Sequence, residues 1–190
     1  MRSLLGEKQM RPFDDVKFVN LSNTDATDAT LDQLKALPEL SVLWLANSEV
    51  TDSGLAVLPR LPGLQFLVLD GTHVTDAGLA SLKGLVSLES LSLSNTRVIG
   101  PGLANLTEVR RLRRLWLDGT DVTDVGLRPL SELTGLEELR LQHCRISSRG
   151  LEHLRGLTRL RSLWISLSPI DENVGDLHAA LPDLNFHWHP

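Results

Sequence analysis

Residues 64–85 read LQFLVLDGTHVTDAGLASLKGL, and the hydrophobic periodicity changes part-way along this stretch. Leu67 and Leu69 recur with period two, which marks a short strand with one buried face. After Asp70-Gly71 the chain turns. Thr75 and Asp76 then open a segment in which Leu79, Leu82 and Leu85 recur at helical spacing. A Thr hydroxyl accepts from the first unpaired amides of a helix, and an Asp just inside faces its positive end. The unit is therefore strand, turn, short helix and return.

The same unit repeats along the chain. Starting points at Val16, Leu40, Leu64, Leu88, Leu112, Leu136, Leu160 and Leu184 are separated by seven equal intervals of 24 residues. Counting from each start, position 4 holds Val19, Leu43, Leu67, Leu91, Leu115, Leu139 and Leu163. Position 6 holds Leu21, Leu45, Leu69, Leu93, Leu117, Leu141 and Ile165. Positions 11, 16, 19 and 22 are equally apolar, so one period explains why 41 of 190 residues are Leu. Gly at position 15 (Gly54, Gly78, Gly102, Gly126, Gly150) suits either close packing on the neighbouring unit or a simple turn requirement.

The L-x-x-L-x-L signature appears in LSVLWL, LQFLVL, LESLSL, LRRLWL, LEELRL and LRSLWI, and T-x-V-T-D-x-G-L in THVTDAGL and TDVTDVGL. Over residues 16–190 the chain resembles leucine-rich repeats, most closely the helix-bearing, ribonuclease-inhibitor-like kind common in bacterial proteins. The resemblance implies an α/β fold, a horseshoe-shaped solenoid with a concave parallel sheet and short helices on the convex side, and a general role in binding proteins. Stacking is also required physically, since no single unit buries both its strand and its helix face. The expected organisation is a degenerate half repeat or cap at 1–15, seven repeats at 16–183, and a terminal strand and cap at 184–190. Residues 1–15 fit either a natural cap or the cut edge of a longer array.

Other classes are excluded. Leu, Ile, Val and Phe far exceed the roughly 20% below which chains stay disordered. No stretch approaches ~18 consecutive apolar residues, so no membrane span is expected, and the opening MRSLLGEKQM is too polar for a signal peptide. The expected compartment is the cytoplasm. A single cysteine, Cys144, permits neither an internal disulfide nor a cysteine zinc site. It stands where other units carry Thr or Ser at position 9, and reads as a small side chain packed in the turn. A net charge of −5 argues against non-specific nucleic-acid binding. The run Arg110, Arg111, Arg113, Arg114 is answered in the repeat frame by Glu89, Glu137 and Glu138 on neighbouring strands, which predicts lateral ion pairs. None of the common catalytic or phosphate-binding motifs occurs, and no cofactor is expected. The position-13 aspartates (Asp28, Asp52, Asp76, Asp124) read as helix caps.

Strand positions 3, 5 and 7 point away from the Leu core and form the concave face. Position 5 holds Trp44, Trp116, Trp164 and Trp188, all four tryptophans of the chain, with Arg140 between two of them. Phe18, Phe66 and Phe186 fall in position 3, so seven of the eight aromatics are expected on this face. An aromatic stripe of this kind either shields an uncovered sheet or marks a partner site. The expected partner-binding residues are Trp44, Phe66, Trp116, Asp118, Arg140, Gln142, Trp164 and Trp188, with Asp118 and Gln142 at position 7. His178, His187 and His189 occupy inward positions at the C-terminal end, where they form either a polar cap or a three-histidine metal site.

The best functional reading is a non-enzymatic module binding a protein or peptide through its concave face. Carbohydrate or cell-wall recognition by flat Trp rings, and a structural or regulatory segment of a larger signalling protein, are the alternatives. Nothing in the sequence decides the oligomeric state.

Overall fold

A computed structural model describes residues 16–166 and 175–189. Eight parallel strands form one open sheet in sequence order: β1 (Phe18–Asn20), β2 (Val42–Trp44), β3 (Phe66–Val68), β4 (Ser90–Ser92), β5 (Arg114–Trp116), β6 (Glu138–Arg140), β7 (Ser162–Ser166) and β8 (Asn185–His189). From β1 to β7 each residue pairs with the one 24 positions further on, as in Leu43↔Leu67, Leu67↔Leu91 and Leu91↔Leu115. The sequence period is thus the strand register. Positions 4 and 6 of β2 to β7 are essentially inaccessible to solvent and merge with the convex leucines into a single continuous core. The degenerate half repeat expected at 1–15 lies outside the described residues.

The convex segments are mainly 3₁₀ helix, as in Gly54–Arg60, Gly78–Leu82 and Pro101–Glu108, with single α turns at Asp28–Asp32, Asp124–Leu127 and Ser148–Leu151. The physical reason lies in the spacing. Leucines at positions 16, 19 and 22 are three apart, and a helix with three residues per turn stacks all of them on one face. The hydroxyls at position 12 cap these segments as expected, with Thr51 Oγ1, Thr75 Oγ1 and Ser147 Oγ accepting from amides two residues on.

The aspartate column does something different from what its position suggested. Asp28 accepts from Thr51 N (2.8 Å) and Thr51 Oγ1 (2.7 Å), so its bonds run to the next unit. Asp52 binds Thr75 and Asp124 binds Ser147 in the same way. Asp76 accepts three amides of the following unit, from Ile99, Gly100 and Gly102. These carboxylates tie adjacent repeats together, and that explains the glycine column. A Cβ on Gly54, Gly78 or Gly150 would collide with the aspartate of the preceding unit, which decides for close inter-unit packing.

The last strand departs from the repeat. In regular units one carbonyl accepts two successive amides, as Glu137 O does from Arg161 N (2.8 Å) and Ser162 N (3.1 Å). At β8 only Asn185 N bonds Arg161 O among the described residues, and Ser162 pairs with Asn185, one residue short of the 24-residue register. A slip of one residue exchanges the two faces of a strand. Phe186, in register with Leu163, now packs against the core, where the repeat frame would have buried His187. Covering the apolar edge with Phe avoids the cost of burying an imidazole.

Cys144 is buried in the turn, its Sγ 3.2 Å from Leu117 O and 3.5 Å from Thr120 Oγ1. Burial pushes the thiol pKa up. The reactive thiolate is therefore scarce near neutral pH. Labelling by a disulfide reagent at pH 8 is expected to be at least tenfold slower in the folded protein than in denaturant, and equal rates would contradict this packing. No helix among the described residues is long and apolar enough to cross a membrane.

Candidate functional site

The concave face is built by positions 3, 5 and 7, and strict register brings residues 24 apart side by side. Trp116, Arg140 and Trp164 are lateral neighbours on β5, β6 and β7. The Arg140 guanidinium lies between the rings, its Cζ 4.9 Å from the Trp116 centroid and 5.2 Å from that of Trp164. Glu138 locks the arrangement. Its Oε1 accepts from Trp116 Nε1 at 3.0 Å and from Arg140 Nε at 2.8 Å. Each cation–π contact contributes about 0.5–1 kcal/mol at such half-exposed positions. His187 continues the row, stacked on the other side of Trp164 with centroids 3.8 Å apart and planes within 11°.

This last contact corrects two expectations. Trp188 does not extend the tryptophan row, because the slip places it in register with Ile165, and Phe186 likewise leaves the concave face. His187 takes the place expected of Trp188. Of the seven aromatics assigned to the concavity, Phe18, Trp44, Phe66, Trp116 and Trp164 remain there. The three histidines are also not brought together. His178 is exposed on the convex helix Gly175–Ala180 while His187 lies on the concave side, and the side chain of His189 lies outside the described residues. No cluster of three or more metal-ligating side chains occurs among the described residues.

A second aromatic group stands at the N-terminal end. Phe18 meets Trp44 edge-on, with centroids 5.2 Å apart and planes at 88°, and both remain largely exposed. Between the groups, Arg114 lies over Phe66 with its Cζ 5.4 Å from the centroid, and its Nε donates to Ser90 Oγ at 2.6 Å. Arg113 pairs with Glu137 as the ladder predicts, whereas among the described residues Arg161 pairs with Asp183 at 3.6 Å. Glu138, in register with Arg114, turns instead to Trp116 and Arg140. Arg114, Glu138 and His187 join the candidate site on the concave face, whereas the sequence pattern assigned the first two to a mutual ion pair and the third to an inward position. The alternation of Asn185, His187 and His189 against Phe186 and Trp188 was the available signal for the last of them.

Asp118 and Gln142 meet through the backbone, Gln142 N donating to Asp118 Oδ1 at 2.8 Å. Burial raises the Asp118 pKa, against the lowering effects of that amide and of Arg140. The native carboxyl thus holds its proton to higher pH than the unfolded chain does. Its ionisation costs stability at neutral pH, and this cost is relieved as pH falls through the carboxylate range. Asp118→Asn, which keeps an acceptor for Gln142, is expected to be at least as stable as wild type at pH 7. Its advantage should shrink towards pH 4 in parallel thermal melts, and an advantage that grows on acidification would contradict the assignment.

An open parallel sheet with 24-residue units, leucines inside and aromatics along the concave strands defines a leucine-rich-repeat solenoid. The chain has the leucine-rich-repeat fold: residues 133–154 match the leucine-rich-repeat family model, and solved structures with this fold superpose on 90% of the chain. One is internalin C2 of Listeria monocytogenes, at 25% identity and a TM-score of 0.74, with 70% of that chain covered. A second internalin of the same organism, inlF, superposes with a TM-score of 0.65 at 19% identity, and a leucine-rich-repeat protein of Leptospira interrogans with 0.69 at 15%. The present chain spans about half the length of these last two, 54% and 48%. No curated protein sequence matches the chain. Proteins with this architecture generally act as interaction modules and not as enzymes.

Proposed function

We propose that the protein is a non-enzymatic interaction module that binds a protein or peptide across its concave face, centred on Trp116, Arg140 and Trp164. The carrying observation is the stack itself. Glu138 fixes Arg140 and Trp116 from one carboxylate, so the surface is ordered before a partner arrives and little side-chain entropy remains to be lost on binding. Trp and Arg are also the residues enriched at interface hot spots.

The carbohydrate alternative is less well supported by this geometry. Sugar rings need an open aromatic face, yet Arg140 lies against Trp116 and Trp164, and His187 covers the second face of Trp164. Nucleic-acid binding is disfavoured because Arg113, Arg140 and Arg161 already face carboxylates.

A host-proteome pulldown with wild type and the Trp116→Ala/Trp164→Ala variant, followed by titration of the purified partner, tests the reading. The double substitution is expected to weaken the complex at least tenfold while the melting temperature stays within a few degrees. Unchanged affinity in a folded double variant would overturn it. A glycan array run beside the titration separates the sugar alternative.

A further inference from the structure

β4 is unlike its neighbours. At positions 3 and 5 the other concave strands up to β7 carry at least one large or charged side chain, whereas β4 offers Ser90 and Ser92. A cavity of about 280 Å³ opens above these two residues, walled by Trp44, Phe66 and Val68 on one side and Arg114 and Trp116 on the other. The floor hydroxyls are engaged within the face, Ser90 Oγ accepting from Arg114 and Ser92 Oγ donating to Asp70. Trp116 Nε1 is likewise taken by Glu138. The slot therefore presents mainly carbon surface. Its volume lies just below the roughly 300–1,000 Å³ usual for small-molecule sites and suits one large side chain.

Charge supplies the second half of the argument. Two ionised groups line the slot, and Glu138 is already paired with Arg140. Arg114 has no carboxylate within ion-pair distance among the described residues; its Nε bonds a serine and its guanidinium rests on Phe66. The terminal amino groups of a guanidinium so held present a fork that matches a carboxylate. A single arginine with Glu138 near it suits a monoanion better than a phosphate, which recruits arginine clusters.

We propose that this slot receives one large apolar side chain of a partner peptide whose adjacent Asp or Glu pairs with Arg114. The proposal rests on the concave face being the binding surface. Random peptides displayed on phage and selected against the folded protein provide the probe. Wild type should enrich Phe, Leu or Trp next to Asp or Glu, and a consensus peptide should lose at least tenfold in affinity on Arg114→Gln and on Ser92→Leu. The second substitution is sterically reasonable because other units hold Val68 or Trp44 at the same position. Selection against Arg114→Glu should replace the acidic residue by Lys or Arg. A consensus without acidic residues, no consensus, or affinity indifferent to both Arg114 variants would overturn the proposal. Peptides that ignore those variants but lose affinity on Trp164→Ala would sink the slot and leave the concave-face reading standing. Peptides indifferent to all of them would count against both.

Discussion

Leu91→Ala is expected to lower the unfolding free energy by about 3–5 kcal/mol, near the upper end for deletion of a buried leucine. Leu91 is fully buried on the central strand, with Leu67 and Leu115 in register on either side. Both neighbours are pinned by the same ladder, so the cavity cannot be closed by a local shift, and the cost should include most of the cavity contribution. A solenoid unit contacts only its neighbours, so a void in the middle also weakens coupling between the two halves. Urea titration followed by tryptophan fluorescence should therefore show an earlier and broader transition, with Trp44 reporting one half and Trp116 and Trp164 the other. A loss under about 1 kcal/mol with an unchanged, single transition would mean that the repeats are less rigidly registered than the ladder indicates.

Gly102→Ala is expected to cost about 2–4 kcal/mol, more than ordinary overpacking at its lower end. Its added Cβ would lie 2.5 Å from Asp76 O and 2.6 Å from Asp76 Cα, so the clash is with backbone of the preceding unit. Asp76 has no freedom to retreat because its carboxylate holds the amides of Ile99, Gly100 and Gly102. Gly156 provides the control. A Cβ there meets nothing within 4 Å, and Gly156→Ala should be neutral or stabilising by up to about 1 kcal/mol through the unfolded chain. Equal midpoints for the two variants in chemical denaturation would refute the close-approach explanation of the glycine column.

Much of the site was legible because a repeat converts sequence distance into spatial adjacency. Trp116, Arg140 and Trp164 are 24 apart, and that alone made them neighbours. What remained hidden were the choices among partners within reach. Glu138 stands beside Arg114 in register but bonds Arg140 and Trp116. The position-13 aspartates could serve their own helices, yet they bond the next unit, where each meets an amide and, at three of the four, a hydroxyl.

By itself, the sequence determined the solenoid, the register of the first seven strands and the identity of the buried columns, because an unbroken 24-residue period leaves one way to stack the units. Only the tertiary structure decided the register of β8 and the relief of the concave face. At β8 the period continues through Leu184, but burying Phe186 in place of an imidazole outweighs the repeat frame, and the one-residue slip turns His187 onto Trp164. Over β4 the two serines become a slot only because larger side chains stand on both flanking strands, a difference in height between neighbours that no single column contains.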